Sequence, residues 1–164
     1  MPNLKLQVSR ALNVIPSDYT NIPMPNIITA STITGTSAGI LIDSTKNFSS
    51  SGLNPLNVQI GDIVYDTTAQ QAAMVTNVDS ATQLTLSTAI TITIGDSYTL
   101  FSSTNITGTV EPCVLYVGIG GDLEITTAGG DVVYLTNVPS GSFLPIQVIR
   151  VSPFSTASDI VALW

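Results

Sequence analysis

The sequence predicts an all-β protein, and three observations support this fold class. Val, Ile and Thr, whose branched side chains favour strands, supply 55 of the 164 residues. Apolar and polar residues alternate over short runs between Gly, Pro, Asn and Asp, as in half-buried strands joined by turns. No window carries the i, i+3, i+4 apolar spacing of an amphipathic helix. The predicted strands are Leu4–Val8, Gly39–Ile42, Val58–Asp66, Gln71–Val78, Gln83–Ser87, Tyr98–Phe101, Cys113–Val117, Asp122–Thr127, Asp131–Asn137, Ile146–Val151 and Ile160–Leu163.

Two glycine-rich segments lie between the later strands. Gly118–Asp122 reads GIGGD, a spacing that suggests a phosphate-binding loop. Such a loop must open a helix, whereas the residues that follow have the pattern of a strand. We therefore expect a turn between strands, with Thr127–Asp131 as the matching turn at the far end of a hairpin or meander.

Local changes in composition along the chain predict its domain organisation. Ser31–Ala38 and Ser102–Thr109 are rich in Ser, Thr and Gly and are typical of flexible joints. We expect residues 31–102 to form a small β-barrel or sandwich module. This module would be inserted into a discontinuous outer domain, a jelly-roll-like β-sandwich of residues 1–30 and 103–164. The alternative is three consecutive segments of one larger sandwich.

Charge and composition exclude several classes of function. Only 9% of the residues are charged, against about 25% in an average domain, with 4 basic and 11 acidic residues and no histidine. Nucleic-acid binding needs clustered cations, and the four here are isolated. Histidine-dependent triads and metal sites are impossible, and one cysteine cannot form a disulfide within the chain. We expect no membrane span and no secretory signal, because the apolar runs are too short.

Two pairs of carboxylates and the single cysteine are the remaining chemical candidates. Asp62 and Asp66 fall on one strand face, and such a pair could hold Ca²⁺ or transfer protons. No third acid lies nearby, so we expect solvated strand ends, and the same holds for Asp122 and Glu124. Cys113 has no neighbouring cation and is expected in the core or an interface. The sequence therefore predicts no catalytic, cofactor-binding or metal-binding residue, and we expect that the protein is not an enzyme.

Arg150 is a candidate for subunit contact. On its predicted strand it shares a face with Ile146 and Val148. One interpretation is an arginine at a strand end that extends its guanidinium into water. The other is an ion pair across a subunit interface, with Asp159 or Asp131 as partner.

The C-terminus and a proline-rich arm are further candidates for contact. Trp164 follows an apolar strand and is expected to anchor that strand within the subunit or against a neighbour. The arm of residues 16–25 is either a linker or an extended segment that lies on a neighbouring subunit. The predicted contact residues are Pro16, Tyr19, Pro23, Pro25, Arg150 and Trp164.

The middle of the chain is similar to a small β module that recurs in virion proteins of tailed phages. The matching segments are LIDSTKNF (41–48), VQIGDIVYDTT (58–68), MVTNVDSATQLTL (74–86) and GDSYTL (95–100). The pairs Gly61-Asp62 and Gly95-Asp96 are expected to be turns or bulges that begin strands. Phe48 is expected to plug one end of the module.

The outer segments resemble spike-base proteins of phage and gene-transfer-agent heads. They are RALNVIPSDYTNIP (10–23), LYVGIGGDL (115–123), TAGGD (127–131), VPSGSFLP (138–145) and STASDIVALW (155–164). The inserted module is a departure from that family and leaves the position on the particle open.

This resemblance implies a non-enzymatic virion protein, assembled in the host cytoplasm. It would be a homo-oligomeric (trimer or pentamer) head decoration or spike-base component on the capsid surface. Its partners would be the major capsid protein or other virion proteins, including a spike or fibre protein. The alternative is a neck, tail or fibre component whose β module binds a receptor or glycan. That role requires exposed aromatic side chains, for which the candidates are Tyr65, Tyr98, Tyr116, Tyr134 and Trp164.

Overall fold

The all-β prediction is confirmed by a computed structural model, which describes residues 8–87, 90–103 and 111–164. About half of these residues lie in thirteen strands of two antiparallel sheets, and none lies in a helix. The strands are β1 (Ala11–Asn13), β2 (Ile27–Thr32), β3 (Gly35–Ser37), β4 (Ile40–Ile42), β5 (Ile63–Asp66), β6 (Gln71–Ser80), β7 (Gln83–Leu86), β8 (Ser97–Phe101), β9 (Cys113–Ile119), β10 (Gly121–Thr127), β11 (Val132–Val138), β12 (Ser142–Val151) and β13 (Ser158–Leu163).

The chain divides into two compact units. Met1–Pro16 and Glu111–Trp164 form the first, which we call the outer unit, and Ser17–Val110 forms the second, the inserted unit. Residues 17–30, which the sequence placed in the outer domain, thus group with the inserted unit, because β2 pairs with β8. The predicted strand Leu4–Val8 lies outside the described residues except for Val8.

The prediction that Ser31–Ala38 is a flexible joint is wrong, because this segment closes a barrel. The sheet of the inserted unit has the order β2-β8-β5-β6-β7-β4-β3. Its two end strands are consecutive in the chain and are separated only by Ile33 and Thr34. The amide of Ile33 donates to Asp96 O at 2.9 Å, and that of Thr34 donates to Ile42 O at 2.9 Å. Backbone pairing therefore continues around the corner, and both edges of the sheet are joined.

A β-turn motif occurs twice at the entrance to barrel strands, as predicted for the two Gly-Asp pairs. Gly61 and Gly95 have φ values of 100° and 97°, which only glycine adopts easily. The aspartate that follows each glycine accepts a hydrogen bond from the amide three residues earlier. For Asp62 this donor is Gln59 N at 2.8 Å, and for Asp96 the donor is Thr93 N at 3.2 Å. The Val58–Asp66 strand is accordingly shorter than predicted and begins after the turn.

The core of the inserted unit is mainly apolar, but three carboxylates are buried in this unit, those of Asp43, Asp62 and Asp66. Phe48, Leu84 and Leu100 are fully buried within it. Asp43 is also fully buried, and its Oδ2 accepts a hydrogen bond from the Tyr98 hydroxyl at 2.8 Å. Its Oδ1 accepts from the Thr45 amide at 2.9 Å. These hydrogen bonds offset the cost of burying the charged carboxylate of Asp43.

The outer unit is built on a six-stranded sheet of order β1-β13-β9-β12-β10-β11. β9 shows regular alternation, with Leu115 and Val117 buried and Tyr116 exposed between them. The C-terminal strand β13 is internal, since it pairs with β1 on one side and β9 on the other. The buried side chains of this unit include Cys113, Leu115, Val117, Leu123, Ile125, Val148, Val151, Ile160 and Ala162.

The hydrogen bonds to Asp43 predict an acid-sensitive stability. Burial alone would raise the pKa of Asp43, but the bonds from Thr45, Ser31 and Tyr98 outweigh it and lower the pKa below the ordinary 3.8. The charged carboxylate therefore stabilises the fold above about pH 4, and this contribution is lost as the pH falls through the lowered value. We expect Asp43→Asn to reduce the free energy of unfolding at pH 7 by about 1.5–3 kcal/mol.

Urea unfolding at pH 7 and at pH 3 measures this contribution. The loss of stability between the two pH values should be smaller in Asp43→Asn than in the wild type. Tyr98→Phe is the control, because it removes one donor and keeps the ring, so its effect should be about 1 kcal/mol. An equal loss with acid in wild type and Asp43→Asn would contradict the assignment.

Candidate functional site

The segment Gly118–Asp122 is a close-packed corner between β9 and β10. A Cβ on Gly120 would lie 2.4 Å from the carbonyl oxygen of Val138, and one on Gly121 would lie 2.6 Å from the amide of Ala157. A strand follows this segment, as the sequence predicted. Glycine is needed here because neighbouring backbone lies too close to leave room for a side chain. The Thr127–Asp131 turn is likewise confirmed, since it joins β10 to β11 as a hairpin.

The prediction that Asp62 and Asp66 are solvated is wrong, because both are buried. Asp62 accepts hydrogen bonds from the amides of Gln59 and Ser103, at 2.8 and 3.0 Å. One oxygen of Asp66 accepts from two amides of the β5–β6 turn, at 3.0 and 2.8 Å. These carboxylates hold loops in place, and sequence spacing could not show this because the donors are backbone groups. No group of three acidic or sulfur ligands that could hold a metal occurs in the described part of the chain.

Asp122 and Glu124 lie in the outer unit beside an exposed tyrosine. Asp122 is half-buried, and it accepts hydrogen bonds from the Tyr134 hydroxyl at 3.1 Å and the Asn137 amide at 2.9 Å. The bond to Asp122 is the largest cause that raises the pKa of Tyr134. Tyr134 is 54% exposed and pairs across the strands with Glu124. This arrangement fixes the tyrosine ring on the sheet surface.

Cys113 is a core residue, as expected. Its thiol is buried and donates to Val148 O at 3.4 Å. Burial raises its pKa to about 12, so the nucleophilic thiolate is absent at neutral pH. The cysteine therefore offers no catalytic group.

Arg150 does not share a face with Val148, contrary to the prediction. The pairing of β10 with β12 is irregular at Thr126/Thr127, and the buried residues of β12 there are Val148 and Val151, three positions apart. This bulge turns Arg150 to the opposite face, where its Nη2 donates to the Thr126 hydroxyl at 3.3 Å. The interface ion pair with Asp131 or Asp159 stays a prediction.

Trp164 is anchored within the outer unit. Its carbonyl accepts from the Ser9 amide at 2.7 Å, its amide donates to Arg10 O at 3.0 Å, and its Nε1 donates to Glu111 O at 3.1 Å. These hydrogen bonds hold the half-buried indole in place at the end of β13.

The middle of the proline-rich arm is packed within the inserted unit. Pro23 is buried there and Pro25 is half-buried, whereas Pro16 and Tyr19 are exposed. The hydroxyl of Thr20 donates to the carbonyl oxygen of Ala72 on β6 at 3.4 Å. An open groove of about 230 Å³ lies here, lined by Tyr19, Thr20, Ile22, Ile63, Met74 and Ser103. Pro16 and Tyr19 therefore remain the arm residues most available to a neighbour.

The aromatic candidates divide between core and surface. Tyr65 and Tyr98 are buried in the inserted unit, whereas Tyr116 and Tyr134 are exposed in the outer unit. Phe143, which pairs with Tyr116 across β9 and β12, is a further exposed ring that sequence reasoning missed. The described residues contain no helix long and apolar enough to span a membrane.

No family model, curated protein or solved structure matches this chain.

The glycine corner makes a prediction about stability. Gly120→Ala would force a methyl group against a backbone oxygen that cannot move alone, and we expect a loss of about 1–3 kcal/mol in the free energy of unfolding. Gly129→Ala is the matched control, because its Cβ would meet Asp131 Oδ2 at an ordinary 3.5 Å. Denaturant unfolding of both variants provides the measurement. Equal stabilities of the two variants would show that the corner is not tightly packed.

Proposed function

We propose that this chain is a non-enzymatic structural protein of a tailed-phage virion. It acts as a homo-oligomeric head decoration or spike-base component on the capsid surface. Its work is to bind other virion proteins and copies of itself through strands, arms and apolar side chains. Catalysis has no part in this role.

One observation carries the proposal. The two sets of segments that resemble phage proteins fall largely in different compact units, and only RALNVIPSDYTNIP (10–23) crosses from one unit to the other. The four segments similar to the phage β module, from LIDSTKNF (41–48) to GDSYTL (95–100), all belong to the inserted unit. The C-terminal segments that resemble spike-base proteins, from residue 115 to residue 164, all belong to the outer unit. Each resemblance is thus concentrated in one structural unit.

The buried carboxylates also support a structural role. Asp43, Asp62 and Asp66 are buried, and each accepts hydrogen bonds from nearby turns or side chains. In an enzyme, carboxylates that transfer protons must reach a substrate in a cleft. These three instead stabilise the turns of the barrel.

Analysis of purified particles tests the proposal. Mass spectrometry should detect the chain in virions of the phage that encodes it, and cryo-electron microscopy should locate it on the head surface. It should remain attached after a wash with ~1 M NaCl, since a chain with so few charges must bind by contacts that salt does not screen. Particles from a phage with the gene disrupted are the control. Absence of the chain from purified wild-type virions would overturn the proposal.

A tail or fibre component that binds glycans is a second candidate, favoured by the exposed rings of Tyr116 and Tyr134. Aromatic rings stack on the apolar faces of sugars, and the Asp122 carboxylate beside Tyr134 could accept sugar hydroxyls. A glycan array should then give a signal that Tyr134→Ala abolishes and Tyr98→Phe retains. An array without any signal would exclude this candidate.

A further inference from the structure

The strand β11 is the long free edge of the outer unit. Among the described strands it pairs only with β10, and it spans seven residues, Val132–Val138. The other edge of this sheet, β1, has three residues. Within the outer sheet, the free backbone donors and acceptors are therefore concentrated along β11.

Natural edges are protected by lysine, proline, short length, β-bulges or inward-pointing charge. In β11 a bulge, with Asn137 at a φ of 52°, ends the regular strand, and the stretch Val132–Thr136 before it has none of the other features. β11 reads VVYLTNV and contains no charged residue and no proline. Val132 is 66% exposed and Tyr134 is 54% exposed, so both side chains are accessible to a partner. Such an edge favours β-strand addition.

The occupant that fits this edge is a second copy of this chain, because the uncharged strand is self-complementary in an antiparallel register. Two copies with a net charge of −7 repel each other over most of their surfaces. Residues 132–136 are an uncharged stretch where close approach carries no such penalty. In an antiparallel pair centred on Tyr134, each Val132 lies opposite Thr136 of the other copy. The bulge at Asn137 ends the paired stretch, and residues 132–136 are uncharged, so no like charges lie directly opposite each other in the pair.

We propose that two copies of this chain pair antiparallel through β11, which extends the outer sheet across a two-fold axis. The contact is small, so the dimer is reversible and depends on concentration. Two-fold symmetry gives an even number of copies, unlike the trimer or pentamer that the phage resemblance implies. The inference rests on the edge strand alone and does not require the virion role.

Light scattering with size-exclusion chromatography tests the pairing. With rising concentration the wild type should move from 17.1 kDa to twice that mass, and ~1 M NaCl should not dissociate the dimer, because salt screens the repulsion between the copies. The double variant Val132→Lys/Thr136→Lys should stay at the monomer mass. Ile60→Lys/Ile94→Lys is the matched control, because both residues are exposed in the inserted unit, and it should dimerise like the wild type. Circular dichroism and unfolding midpoints check that each variant is folded.

A cross-link keeps the test decisive if the lysine variant does not fold. Tyr134→Cys should form a disulfide-linked dimer under mild oxidation, because the two-fold axis brings both copies of this position together. Ile94→Cys, which is equally accessible, should not cross-link with comparable yield. A wild type that is monomeric at every concentration would overturn the inference. So would a trimer or pentamer, or a dimer that the β11 variants leave unchanged.

Discussion

β2 pairs with β8, and after Ile33 and Thr34 the chain continues as β3 beside β4. This corner closes the barrel of the inserted unit. The corner bonds the chain to the β8 side through Ile33 and to β4 through Thr34, so the two ends of the sheet are connected. It also encloses the core around Tyr98 and the buried Asp43. The turns that lead into β5 and β8 are held by aspartates, so that the strands meet in register. The stability of this unit therefore depends on nonlocal backbone pairing together with a few buried carboxylates.

The sheet of the outer unit is arranged differently from that of the inserted unit. Its C-terminal strand lies inside the sheet, and the glycine corner at Gly120 lets β9 and β10 approach the following strands closely. One edge stays open at β11. With 15 charged residues in the whole chain, little electrostatic protection is available for such an edge. Low charge and an open strand together favour association through backbone and apolar contacts.

Much of the fold could be predicted because alternation and turn residues are local signals. They indicated the fold class, most strands and the two glycine turns. They missed β2 and β3, since a Ser/Thr-rich strand that closes a barrel is identified only by its distant partners. The burial of Asp62, the bulge that turns Arg150 away from Val148 and the exposure of Tyr134 all depend on pairing between strands. The contact residues predicted from the sequence did not include those of β11, although the sequence shows that this segment contains no charged residue.

In the proposed dimer, backbone groups along β11 form the contact between the two copies. Hydrogen–deuterium exchange at low and high protein concentration measures those groups directly. We expect the outward-facing amides within residues 132–136 to exchange rapidly in dilute protein and to become protected as concentration rises. The amides of β13 should remain protected throughout, because that strand is internal. Exchange in β11 that does not change with protein concentration would contradict the pairing of two copies through this strand.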